Sequence, residues 1–200
     1  RAMSASVCRE EMRESDPAYT PDHPCNYFLS VLFPHDELRL LPYHRVVKSL
    51  PADTRSILSQ IDETFEIEYN ASPEPDGANS FSTYMEGSWY GLSPKSKASV
   101  RGDPVASLDV SILQDEVLGP IFGIGDPRTD ENVDFVGGVR GTSELERLVE
   151  SHAAAAAFSL HPVSIDQLLQ IADEGLLMPP KSTWFEPKLR SGLFVHRFRD

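Results

Sequence analysis

The sequence predicts an α/β (or α+β) fold, a mixed sheet layered against flanking helices. Two observations carry that expectation. In the last third, short apolar runs alternate with capped amphipathic segments, the pattern of helices packed on a sheet. Earlier, period-two alternation flanks tight-turn residues, as in paired strands.

The segment Ala2 to Glu14 mixes Ala, Met, Val and Cys with charges and reads as a helix. No capping residue precedes it and the chain opens on Arg1, so the natural protein is expected to begin earlier. The lack of a signal peptide then carries no weight. Ser15 to Pro24 is a proline-punctuated loop, and the dense apolar run Cys25 to Phe33 predicts a buried strand. Leu38 to Leu41 reads as a second strand edge. Pro51 introduces a helix over Ala52 to Thr64, with Ile57, Leu58 and Ile61 on one face. Phe65 to Tyr69 alternates as a half-exposed strand.

Ser72 to Asn79 is the most loop-like stretch and the candidate internal seam. Phe81–Met85 and Trp89–Leu92 flank Glu86-Gly87-Ser88 as a hairpin. The basic stretch Pro94 to Pro104 reads as mobile. Val105 to Leu118 places Leu108, Ile112, Leu113 and Val117 on one helical face. Then come strand Val133–Val136, helix Thr142–His152, strand Ala154–Leu160, helix Ser164–Glu174 and strand Leu193–Phe198. Ala153 to Ala157 also suits a helix end, because Ala is the best helix former. Phe158-Ser159-Leu160 favours the strand.

Two hundred residues at 40% hydrophobic and 24% charged suffice for one substantial core or two small ones. A net charge of −13 argues against general nucleic-acid binding and against docking to anionic membranes. No apolar stretch approaches the roughly 20 residues that span a bilayer. Two cysteines, Cys8 and Cys25, read as reduced thiols of a cytoplasmic protein, and His23 and His35 near Cys25 do not complete a four-ligand zinc pattern.

Three stretches can carry chemistry. In Leu41-Pro42-Tyr43-His44-Arg45-Val46-Val47, Arg45 can fork onto a phosphate or carboxylate and His44 can move a proton; equally, Arg45 can pair with an acid and His44 cap a carbonyl. Asp109, in Ser107-Leu108-Asp109-Val110-Ser111, suits a helix start, or serves as a base or orienting partner for His44. The third stretch is Met178 to Leu193. From Lys181 to Arg199 there are five Lys/Arg and one acid, Glu186, in an otherwise acidic chain. Lys181-Ser182-Thr183 lacks the glycines of a P-loop. Lys181 and Lys188 can neutralise an anion that Ser182 and Thr183 hydrogen-bond, while Trp184 and Phe185 plug a core. If these residues form one site, His44, Arg45, Asp109 and the Lys181–Lys188 loop converge in a single cleft. The motifs of α/β-hydrolases, zincins, dinucleotide-binding folds and protein kinases are absent.

Together, LPYHRVV, SLDVSILQDEVL and MPPKSTWFEPKLRSGL, the last preceded by VSIDQLLQIADEGLL, resemble the domain-of-unknown-function family 1015. The family usually has Thr at Tyr43, Gln at Pro180 and Tyr at Trp184, which leaves Lys181, Ser182, Thr183 and Lys188 in place. Arg1 looks like the last residue of the family's Asp-Gly-His-His-Arg motif. That motif is similar to the signature of the ParB/sulfiredoxin superfamily, whose members bind nucleotides and include a free-serine kinase. The resemblance implies residues 1–71 as the remainder of a nucleotide-binding-like domain and 72–200 as an α/β part carrying the Lys-Ser-Thr loop, or one continuous domain. It implies a small anionic ligand, a phosphorylated metabolite or a nucleotide with Mg, held by Arg1, Arg45, Lys181, Ser182, Thr183 and Lys188. His44 and Asp109 would move protons in phosphoryl transfer. The alternative is a non-catalytic ligand-sensing or interaction module using the same loop.

Overall fold

The computed structural model describes residues 2–95, 102–190 and 192–197. The chain divides into two compact units, residues 1–38 with 187–200, and residues 39–186. The Ser72–Asn79 loop lies inside the second unit, because strands before and after it pair in one sheet.

In the first unit, α1 (Ala2–Ser15) buries Ala5 and Met12. A 3₁₀ turn over Pro24–Asn26 follows, its first amide donated to His23 Nδ1 (3.2 Å). The strand expected over Cys25 to Phe33 is not there. Only Cys25 is buried, and residues 27–33 are exposed and irregular, with no ladder partner among the described residues. Apolar composition made this run look like a strand, but a strand needs a partner edge to satisfy its backbone. The same correction applies to Leu193–Phe198: residues 193–197 form bends and irregular chain, and Phe198 lies outside the described residues.

The second unit is built on a six-stranded sheet in the order β3-β5-β4-β7-β2-β6, every pairing antiparallel. Its strands are β2 (Tyr43–Val47), β3 (Phe65–Tyr69), β4 (Phe81–Met85), β5 (Ser88–Pro94), β6 (Val133–Gly137) and β7 (Ala156–Leu160). A separate two-stranded ribbon pairs β1 (Arg39–Leu41) with β8 (Trp184–Glu186). The expected hairpin forms through Glu86 and Gly87, both at positive φ. The basic stretch read as mobile falls largely on residues 96–101, outside the described residues.

Both faces of the sheet are covered. On one, Val47, Phe81, Phe158 and Leu160 pack with Ile57 and Ile61 of α2 (Thr54–Ile61), Leu113 of α3 (Asp109–Leu113) and Ile171 of α5 (Ile165–Asp173). On the other, Val46, Tyr84, Trp89 and Ala157 meet Leu145 and Val149 of α4 (Ser143–Glu150). Burial on both sides explains why β7 is apolar nearly throughout. Helix α5 begins with a capping box, Ser164 with Gln167. The helix expected from Val105 starts only at Asp109, because Asp103 Oδ1 takes the amides of Val105 and Ala106 and holds a turn there. Beyond Leu113 it widens into a π-helical turn over Gln114–Leu118. Among the described residues no helix is long and apolar enough to cross a membrane.

Candidate functional site

Strand β2 sets the geometry. Side chains alternate across a strand, so neighbours in sequence face opposite sides of the sheet. His44 and Arg45 therefore line different clefts, one of about 370 Å³ on the His44 side and one of about 490 Å³ on the Arg45 side. The single cleft expected from the sequence does not form.

Arg45 is 4% exposed. Its Nη1 donates to the Tyr43 carbonyl at 2.9 Å, and its guanidinium lies 4.5 Å from the ring centroid of Phe135, its cross-strand partner. Among the described residues it makes no ion pair with a carboxylate. Burial pushes the guanidinium down from 12.5 to about 10, so it stays charged at neutral pH. The cleft it floors has Ser111 and Gln114 on one side and Pro179 and Pro180 on another. Its acids are exposed at the rim. Asp126 is bridged to Arg128 at 2.6 Å, which holds it down at about 2, and Asp103 caps its turn. Gln114 starts the π-helical turn and donates to the Ile124 carbonyl at 2.7 Å. Such turns recur at functional sites because the widened rung re-aims side chains.

The Lys-Ser-Thr segment is divided. Pro180 reaches the Arg45 cleft, and Lys181 follows at φ 52°, a left-handed conformation that a non-glycine residue seldom adopts. Lys181 Nζ lies 5.3 Å from the Tyr43 ring centroid, so the ammonium rests on the residue whose carbonyl holds Arg45. Tyr43 also packs on Trp184. Ser182 is buried and Thr183 half-buried. Lys188 belongs to the first unit, and Arg1 lies outside the described residues.

On the opposite face, His44 Nδ1 accepts the Leu160 amide at 3.2 Å. Burial first, and then the adjacent Arg45 charge, push its imidazole down from 6.5 to about 4. It is neutral at physiological pH, with the proton on Nε2. Asp109 does not reach His44. Its Oδ1 takes the Asn79 amide at 2.9 Å, which ties down the end of the Ser72–Asn79 loop. Burial raises its carboxyl to about 6 against the pull of the Asn79 bond and the His161 charge. Ser111, Gln114 and the buried Ser159 escaped the sequence reading. A serine in an otherwise apolar strand was the available signal for Ser159, while the other two needed the tertiary fold.

A family model described as protein of unknown function (DUF1015) matches residues 1–111, more than half of the chain. The chain belongs to that family. The matched region includes β2 with both His44 and Arg45, and ends before the Met178–Leu193 run. No curated protein matches. Among solved structures, a conserved hypothetical protein from Pyrococcus furiosus is 13% identical, with a TM-score of 0.44, over 74% of this chain and 56% of its own. A free serine kinase in complex with AMP is 12% identical, TM-score 0.44, over 75% and 54%. A mutant free serine kinase in complex with ADP is 14% identical, TM-score 0.44, over 92% and 80%. This chain thus spans little more than half the length of the first two. Likeness of that degree carries no chemistry from those proteins to this one.

Proposed function

We propose that the chain binds a small anionic ligand, a phosphorylated metabolite or a nucleotide, in the Arg45 cleft. The observation that supports this reading is the buried guanidinium with no carboxylate paired to it among the described residues. The Tyr43 carbonyl and the Phe135 ring offset most of the cost of burying this charge, but among the described residues only Nη1 of its donor fork is spent. An oxyanion entering the cleft can take the remaining donors through charge-assisted, fork-shaped hydrogen bonds. Ser111 offers a further polar contact along the wall, while the Gln114 amide nitrogen is already given to the Ile124 and Gly125 carbonyls. Of the three acids that line the cleft, Asp126 is bridged to Arg128 and Asp103 accepts backbone amides, and Asp115 is exposed.

Binding without turnover is the form of the proposal that the cleft favours. His44 and Asp109, the proton-moving groups expected for phosphoryl transfer, do not line it. Among the described residues no cluster of three His, Cys, Asp or Glu side chains is placed to hold a metal ion. Magnesium accompanying a nucleotide would be carried by the phosphates.

The test is a thermal-shift titration of the protein with ADP, ATP, CTP and phosphoserine, alongside Arg45→Met. At about 100-fold over Kd, a ligand confined to the folded state adds roughly 2.7 kcal/mol of stability. A shift in wild type that Arg45→Met abolishes is the expected result. No shift with any of the four, or an equal shift in the variant, sinks the assignment. Ligand hydrolysis or transfer that survives purification and is lost in the variant would restore the enzymatic reading.

A further inference from the structure

We propose that the opposite face of β2 carries a second, separate ligand site. There the N-terminus of α4 takes a small oxyanion, phosphate or carboxylate, and Ser159 and His44 bind the ligand's neutral polar end.

The floor is a polar pair, Ser159 and His44, and Ser82 beyond them lines a neighbouring cleft. Ser82 pairs with Ser159 in register, and β2 runs beside β7 so that His44 falls next to Ser159 on the same face. Two of these groups have no partner for the atom that matters. Ser159 is fully buried, and its Oγ makes no hydrogen bond among the described residues. His44 spends Nδ1 on the Leu160 amide, which leaves its Nε2 proton to donate. Both residues line the same cleft of about 370 Å³. A buried hydroxyl left without a partner is costly. Thr83 and Thr54 hold similar orphan hydroxyls, but neither lines this cleft.

One wall is the start of α4. Gly141 and Thr142 line the cleft, and Thr142 gives the helix no side-chain cap. The first amides of a helix have no internal acceptor and carry its positive partial charge, so they attract an oxyanion. Glu144 and Glu146 in this first turn partly offset the field, but Glu144 is engaged by Arg147 at 2.7 Å and Arg140 at 3.5 Å, and Glu146 accepts the Trp89 indole N–H at 2.8 Å. Arg39 and Glu74 stand at the exposed rim with opposite charges. The roof is the Ser72–Asn79 loop, fastened by Ser82 Oγ to the Ser72 carbonyl at 2.8 Å and by Asp109 to the Asn79 amide at 2.9 Å. The pocket is therefore closed by a tied loop rather than open by chance.

The experiment is a ¹⁵N-detected NMR titration of the whole chain with inorganic phosphate, acetate and phosphoserine. It reads the Ser143 and Glu144 amides and the His44 side chain. In wild type all three signals move together with one of the probes below about 10 mM. Ser159→Ala and His44→Gln each weaken that probe about tenfold, the scale of one lost hydrogen bond to a charged or buried partner. Arg45→Met leaves the response intact, which separates this site from the cleft proposed above. The proposal is overturned if the three signals stay still with every probe. It also falls if only the α4 amides move and the two floor variants change nothing, or if Arg45→Met removes the response.

Discussion

Replacing Arg45 by methionine separates a binding group from a structural one. Methionine keeps an unbranched apolar side chain of similar reach and fills the same space. What is removed is a charge held at about 10 instead of 12.5 by burial, a penalty of about 3 kcal/mol at roughly 1.4 kcal/mol per tenfold. Also removed are the charge-assisted bond to the Tyr43 carbonyl, worth about 1.5–3 kcal/mol, and the contact with Phe135, worth about 0.5–2 kcal/mol. These nearly cancel, so ligand-free Arg45→Met should match wild type within about 1–2 kcal/mol. A shift of roughly 2–4 °C in Tm accompanies each kcal/mol in a domain of this size, readable by differential scanning calorimetry. Removing one partner of a buried ion pair instead costs about 3–5 kcal/mol. A loss of that size, some 8 °C or more, would show that the guanidinium is structural and refute its assignment as a binding group.

The pH dependence of stability offers a second check. Between pH 6.5 and about 4 the unfolded chain protonates His44 while the folded one does not, so this residue makes stability fall as pH falls, by about 3 kcal/mol in full. Asp109 acts oppositely: raised to about 6, it binds a proton in the fold before the unfolded chain does, and stability rises by about 3 kcal/mol as pH falls toward 3.8. Urea titrations should show His44→Gln gaining on wild type, and Asp109→Asn losing to it, as pH drops from 6 to 4; parallel curves contradict both. Gly137→Ala drives a Cβ into the Trp184 ring and should cost about 1–3 kcal/mol with a change in tryptophan fluorescence. An unaltered spectrum and midpoint would show that Trp184 is not packed there. Ser164→Ala removes the capping box of α5 and should lower stability by about 1 kcal/mol in the same urea assay, with no loss counting against the cap.

Elements with strong local signals were legible. The hairpin through Glu86-Gly87 and the Ser164 cap of α5 are written within a few residues of where they act, whereas Thr142, expected to cap α4, makes no side-chain cap bond. The Phe158-Ser159-Leu160 reading over a helical Ala run was likewise correct, since β7 covers Ala156–Leu160. Elements defined by distant partners were not. Tyr27 to Phe33 had strand composition but found no edge, while Trp184–Glu186 lay in a stretch read as a loop and found β1. For the site, His44 and Arg45 were read as one pair after Pro42, yet strand β2 sends them to opposite faces. The alternation was available in the sequence, and a single cleft containing both was incompatible with it. Ser159 beside His44 becomes visible only once the register of β2 against β7 is known.

The placement of β2 between β7 and the edge strand β6 also bears on when the protein becomes competent. Its partners, β6 and β7, lie far along the chain, so both walls of either cleft appear only after long-range closure has been completed. A nascent or partly unfolded chain can carry local helices and the β4–β5 hairpin, but neither pocket. Ligand occupancy at either face is then a reporter of global folding, and binding should protect the amides of β2, β6 and β7 from hydrogen exchange as a block rather than strand by strand.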